Sequence, residues 1–99
     1  MHEHGLARDL WPQLQVIARD KGLSSVTRLD LTVGMLHGAS ADFLAHSFEH
    51  VFEGSSFEGT VVNIEIVEPG QSFSLEGADS AQIATGWELL ITRMDGSER

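Results

Sequence analysis

Residues 26–33, VTRLDLTV, place Leu29, Leu31 and Val33 on one side of an extended chain and Arg28, Asp30 and Thr32 on the other. A period of two is the mark of a strand with one face buried and one face wet. Gly34 ends the run. A half-buried strand needs partners beside it and a layer over its apolar face. The rest of the chain has to supply both.

Two amphipathic stretches can form that layer. Residues 6–21 carry Leu6, Leu10, Leu14 and Ile17 at helical spacing, flanked by Trp11 and Ala18, with Gly22 as a stop. Pro12 lies inside this stretch, where it removes a hydrogen bond and costs about 3 kcal/mol. Either the helix kinks there, or it begins near Leu10 with Asp9 as cap. The stripe runs through Pro12 in phase, so one kinked helix is expected. Ser40 suits the N-cap of a second helix, with Asp42 in its first turn, where the helix dipole favours an anion. Leu44, Phe48, Val51 and Phe52 form its stripe, which runs to about Glu53 before Gly54.

Residues 60–67 (TVVNIEIV) and 87–94 (WELLITRM) supply two further strands, with Val62, Ile64 and Ile66, and Trp87, Leu89 and Ile91, on their buried faces. Residues 35–39 form a loop containing His37, and residues 55–59 a polar turn apart from Phe57. Residues 68–86 hold three Gly and one Pro; 71–75 is a candidate short strand. Residues 95–99 read as a polar tail, and Trp11 and Trp87 read first as core, with a partner interface as the alternative for one of them. A short strand over residues 2–4 could join the sheet edge. The expected fold is α+β in two layers: two helices on one face of a small mixed three-stranded sheet, as a single domain over residues 1–99.

Composition narrows the function classes. Six basic and fifteen acidic side chains leave a net charge of −9, which repels phosphate backbones, so no nucleic-acid partner is expected. No run of about 18 apolar residues could span a membrane, and the start lacks the layout of a signal peptide. A cytoplasmic protein with no membrane partner is expected. The chain has no cysteine, which rules out disulfides, thiolate zinc sites and a cysteine nucleophile. A metal site must use His, carboxylate or main-chain groups.

Met1, His2 and Glu3 offer such groups at once. The α-amine, the amide nitrogens of His2 and Glu3 and the His2 imidazole lie within reach of one ion. This planar nitrogen set suits Ni(II) or Cu(II) rather than Zn(II). The same residues read equally well as an ordinary chain start. Bulky His2 should preserve Met1 from excision. His4 is a further candidate, as axial ligand or as partner of His2. His46 and His50, spaced i, i+4 with Glu49 and Glu53 close by, are either a two-His metal site or a solvated helix face. Glu49 is not placed as in the zinc-protease motif H-E-x-x-H. His37, Ser40 and Asp42 do not make a hydrolytic triad, because no nucleophile elbow is present and Ser40 is better used as a cap. Residues 34–38 lack the GK[ST] of a phosphate loop. No catalytic constellation is visible, so an enzyme is not expected.

Met-His-Glu at the start, G-(x)3-VTRLDLTVG, a helix centred on FLAHSFE, EGTVVNIEIVE and a closing WELLITRMD together resemble the hydrogenase nickel-incorporation family (HypA/HybF). The likeness covers residues 1–67 and 86–95. It implies a metallochaperone that delivers nickel to the large-subunit precursor of a nickel–iron hydrogenase, alongside an accessory GTPase. The family's nickel site falls on Met1, His2 and Glu3, with Ni(II) as cargo. The family also carries a zinc domain with two CxxC-type pairs between its last two strands. Here the corresponding stretch, 68–86, is a short loop without cysteine, so zinc is not expected. The alternative is a metal-free module that docks on a hydrogenase subunit or assembly factor.

Overall fold

A computed structural model of the chain describes residues 3–75 and 79–98. Helix α1 (Glu3–Asp20) leads into strand β1 (Leu23–Gly34). A short 3-10 turn (Met35–His37) and helix α2 (Ala41–Phe52) follow, then β2 (Val61–Val67). Two very short strands, β3 (Ser72–Phe73) and β4 (Gln82–Ile83), precede β5 (Leu89–Glu98). β1 is the central strand of a three-stranded sheet, parallel to β2 and antiparallel to β5. Both helices pack on one face of it, as the sequence predicts.

Helix α1 passes through Pro12 as one element. Its buried stripe is Glu3, Ala7, Leu10, Leu14 and Ala18, which keeps Leu10 and Leu14 of the expected stripe and puts Ala7 and Ala18 in place of Leu6 and Ile17. Leu6 and Ile17 are half-buried at its flank. Small Ala7 and Ala18 face inward because the helix lies close to its neighbours; the larger side chains fill the margins. Glu3 and His4 are helical, which corrects the expectation of a short strand there. His2 lies outside the described residues.

The two helices run in the same direction. Glu3 meets Ser40, which precedes α2, and Trp11 meets Phe52 at its end. That far end is an aromatic cluster: Trp11 is 5.5 Å from Phe52 and 5.0 Å from Phe57, centroid to centroid. Such pairs contribute about 0.5–1.5 kcal/mol each beyond their burial. Phe57, the one apolar residue of the predicted polar turn, is thus core, at 1% exposure.

β5 continues to Glu98 alongside β1, so residues 95–98 are strand and not a tail. Three irregularities make this pairing possible. Ser24, Thr27 and Thr92 each sit as an extra residue in the β1–β5 ladder. Each hydroxyl donates across to the partner strand, to the carbonyls of Ser97, Asp95 and Asp30 respectively, at 3.1, 3.3 and 3.1 Å. Bulges of this kind interrupt the ladder and increase twist; here the hydroxyls restore a cross-strand bond at each. Gly96 passes so close to the Ser25 carbonyl that no Cβ could be accommodated.

On the uncovered sheet face, Arg28 donates two bonds to the Asp30 carboxylate, at 3.1 and 2.9 Å, and Asn63 donates a third from β2 at 2.9 Å. β3 and β4 form an antiparallel ribbon. It has a small cluster of its own, in which Val67, Phe73 and Ala84 are buried and Leu75 and Leu90 pack against them. Among the described residues, no helix is long and apolar enough to cross a membrane.

Candidate metal centre

β1 and α2 are antiparallel in chain direction, as a βαβ connection requires. The C-terminal end of β1, the start of α1 and the start of α2 therefore meet at one end of the molecule. The sequence closes that end with glycine. Gly34 donates to the Glu88 carbonyl at 2.7 Å, and Leu36 donates to the Gly86 carbonyl at 2.9 Å. A Cβ on Gly34 would fall on the backbone of Gly86, and Gly86 itself has φ +96°, a conformation open to glycine. This junction fixes the 3-10 turn against the 86–88 segment.

Glu88 completes it. Its carboxylate accepts from the Thr85 amide at 2.7 Å, the Gly86 amide at 2.9 Å and the Thr85 hydroxyl at 3.1 Å. The Thr85 amide, with the others behind it, holds this carboxyl below the usual range. His37 donates through Nε2 to the Trp87 carbonyl at 3.0 Å and stands edge-on to the Trp87 ring. Trp87, expected in the core, is 60% exposed. Backbone anchoring at Gly86 and Glu88 turns the residue between them outward.

Glu3 is the pivot of this end. Its side chain is buried, and its carboxylate accepts the Ser40 amide at 2.9 Å. Ser40 caps α2, its hydroxyl accepting from the Phe43 amide at 3.4 Å. In a capping box the acid that takes the N-cap amide stands three residues on. Here that place is Phe43, and Glu3 supplies the carboxylate from another helix. The anion lies at the start of both helices, where the macrodipoles favour it. Of the sequence-predicted ligands, Glu3 is therefore tied to α2 by its carboxylate. Met1 and His2 lie outside the described residues.

His4 lies beside Glu3 on α1 and lines a groove between the helices with Arg8, Trp11, His50 and Val51. His46 and His50 are exposed on α2, with their Nε2 atoms 3.2 Å apart. No group of three or more His, Asp or Glu side chains that could hold a metal occurs among the described residues. The trans-cap by Glu3 is the contact that sequence reasoning missed. A buried-face Glu in phase with Ala7, Leu10 and Leu14 was its only signal.

Known proteins resemble this chain over most of its length. The family model described as "Hydrogenase/urease nickel incorporation, metallochaperone, hypA" matches residues 1–73. The hydrogenase maturation factor HypA of Rhodobacter capsulatus is 32% identical over 83 residues, covering 84% of this chain and 73% of that protein. The HypA of Nitrosospira multiformis is 30% identical over 97 residues, covering 98% and 82%. The solution structure of the Ni metallochaperone HypA from Helicobacter pylori aligns over 100% of both chains with a TM-score of 0.68 and 14% identity. That last likeness concerns the fold alone.

Proposed function

The chain belongs to the hydrogenase/urease nickel-incorporation metallochaperone family, and we propose that it carries one Ni(II) at its amino end. The ligands in this reading are the Met1 amine, the amide nitrogens of His2 and Glu3 and the His2 imidazole. Four nitrogens in one plane suit Ni(II). The observation that supports the reading best is that the family match begins at residue 1, so that it takes in Met1, His2 and Glu3 together with the strand and helix that follow. The Glu3 carboxylate, bound to the Ser40 amide, gives the amino end a fixed point of departure from the fold.

The cargo passes to the large-subunit precursor of a nickel–iron hydrogenase in the cytoplasm by ligand exchange, with an accessory GTPase as further partner. An open, four-coordinate ion suits such an exchange, because incoming ligands can approach above and below the plane. Met35, Leu36, Phe43 and Trp87 are exposed apolar side chains on the segments that meet at this end, and they offer a contact surface for the client. Amine and amides must lose protons to bind, so affinity falls with acidity.

Nickel titration of the untagged chain, against the same chain acetylated at the Met1 amine, tests this. The acetylated chain should lose the planar Ni(II) absorption, and so should His2→Ala. Equal binding by all three removes the amine and His2 from the ligand set. The competing reading, a docking module without metal, is favoured by the lack of any cysteine where the family has its zinc thiolates. It predicts capture of the hydrogenase precursor by His2→Ala as efficiently as by the parent chain.

A further inference from the structure

Helix α2 carries a pair of imidazoles that the amino-end site does not use. His46 and His50 are one turn apart, with ring centroids 4.7 Å apart and planes at 85°. Their Nε2 atoms face each other at 3.2 Å. Imidazole nitrogens bind Zn(II) at about 2.0–2.1 Å. Two of them on one ion stand about 2.9 Å apart at a right angle and about 3.4 Å apart at the tetrahedral angle, given bonds of that length. The observed separation of 3.2 Å lies between these values, so both nitrogens stand at a spacing that one ion can bridge once the rings turn toward it.

Each ring also has a carboxylate behind it. His50 Nδ1 is 3.0 Å from Glu53 Oε1. A carboxylate only accepts, so Nδ1 donates and the neutral ring keeps its lone pair on Nε2, aimed at His46. His46 Nδ1 faces Glu49 Oε2 at 3.8 Å. In the ion-free chain, the proton between the two rings is that of His46 Nε2. When a cation takes its place, that proton belongs on Nδ1, on the Glu49 side. Binding through one ring nitrogen while the other donates to a carboxylate is how histidine ligands are oriented in metal sites.

We infer that His46 and His50 form a second divalent-cation site, for a first-row ion that prefers imidazole, such as Zn(II), Ni(II) or Cu(II). Glu53 and Glu49 are its positioning residues. The His46 and His50 side chains are 65% and 58% exposed, so water completes the coordination and the ion exchanges readily. His50 also lines the groove shared with His4 and Arg8, so the site opens toward the amino-terminal turn of α1. It needs no ligand from Met1 or His2 and stands apart from the nickel reading above.

Zn(II) titration against a chelating dye, near neutral pH, tests the pair. The background is the full chain carrying His2→Ala, which takes the imidazole out of the amino-end chelate. This chain should bind Zn(II), and His46→Gln and His50→Gln should each weaken binding at least tenfold. The double variant should show no binding, and Glu53→Gln should weaken it about tenfold. Far-UV dichroism should be the same for all, because these side chains are exposed. Absence of Zn(II) binding in the His2→Ala background overturns the site. So does binding unchanged by either histidine substitution. Unchanged binding by Glu53→Gln overturns the role given to that carboxylate. Loss of nickel binding at the amino end with Zn(II) binding intact leaves this site standing and removes the other.

Discussion

At the amino end, Glu3 is 5% exposed, and its carboxylate takes an amide from 37 residues along the chain. On α2, His46 and His50 meet because they are four residues apart, and they stay mostly in water. One arrangement needs the whole fold: two helices running side by side, the β1–β5 junction and a carboxylate buried between helix starts. The other needs only one turn of helix. A site of the first kind can hold its groups in one geometry, at the cost of depending on global stability. A site of the second kind is loosely held and open, and survives wherever α2 is helical.

The sharpest way to break this contrast is Gly34→Ala. The added methyl meets the Gly86 backbone, which cannot move aside as a side-chain tip can. A loss of about 2–4 kcal/mol is expected in urea unfolding, with the 86–88 segment displaced. The His46–His50 pair should be untouched in whatever fraction remains folded, as imidazole resonances can report. A loss below about 0.5 kcal/mol, within the range of ordinary surface changes, would show that this junction yields easily.

Glu3→Ala comes next. It leaves the Ser40 amide without its carboxylate, and about 1–3 kcal/mol should be lost. Glu3→Gln keeps a carbonyl oxygen for that amide and should cost less. If the two variants unfold at the same urea concentration as the parent, the trans-cap does not matter to stability.

Asp30 measures what a mixed contact is worth. The Arg28 hydrogen bonds come first and Asn63 adds to them, against the opposing effect of burial, so the carboxyl is held below its ordinary value of 3.8. A depressed folded value means stability fully present above the ordinary value and lost as pH falls from there through the lower folded one. Asp30→Asn should cost about 0.5–1 kcal/mol near neutrality and flatten the stability profile below about pH 4. An unchanged profile would remove Asp30 from the acid response.

The smallest effect belongs to His46→Gln and His50→Gln without metal: within about 0.5 kcal/mol of the parent chain. A larger loss would mean that α2 depends on the pair for more than ligand geometry.

The strands and helices were legible wherever a period persisted. β1, α2 with its Ser40 cap, and β2 follow from alternation, helical spacing and N-cap chemistry, and each is local. The two-His pair was legible for the same reason. Where the reading failed, neighbours decided. Residues 2–4 suggested a strand, yet Glu3 and His4 are helical, because Glu3 continues the inward face of Ala7, Leu10 and Leu14. Trp87 has the look of core and is exposed, because Gly86 and Glu88 anchor the chain on either side of it. Phe57 sits in a polar turn and is core, because Trp11 and Phe52 reach it from two helices.

Residues 95–98 make the point again. They are polar and carry no strand signal, but Ser24, Thr27 and Thr92 absorb the register shifts that let them pair. Periodicity settles which face of an element is apolar, because that depends only on backbone geometry. Which distant partner a given side chain meets depends on how those elements stack, and no local spacing encodes that. So α2 brought its two histidines together unaided, while the tether of Glu3 to Ser40 came into being only when both helices were laid on the sheet.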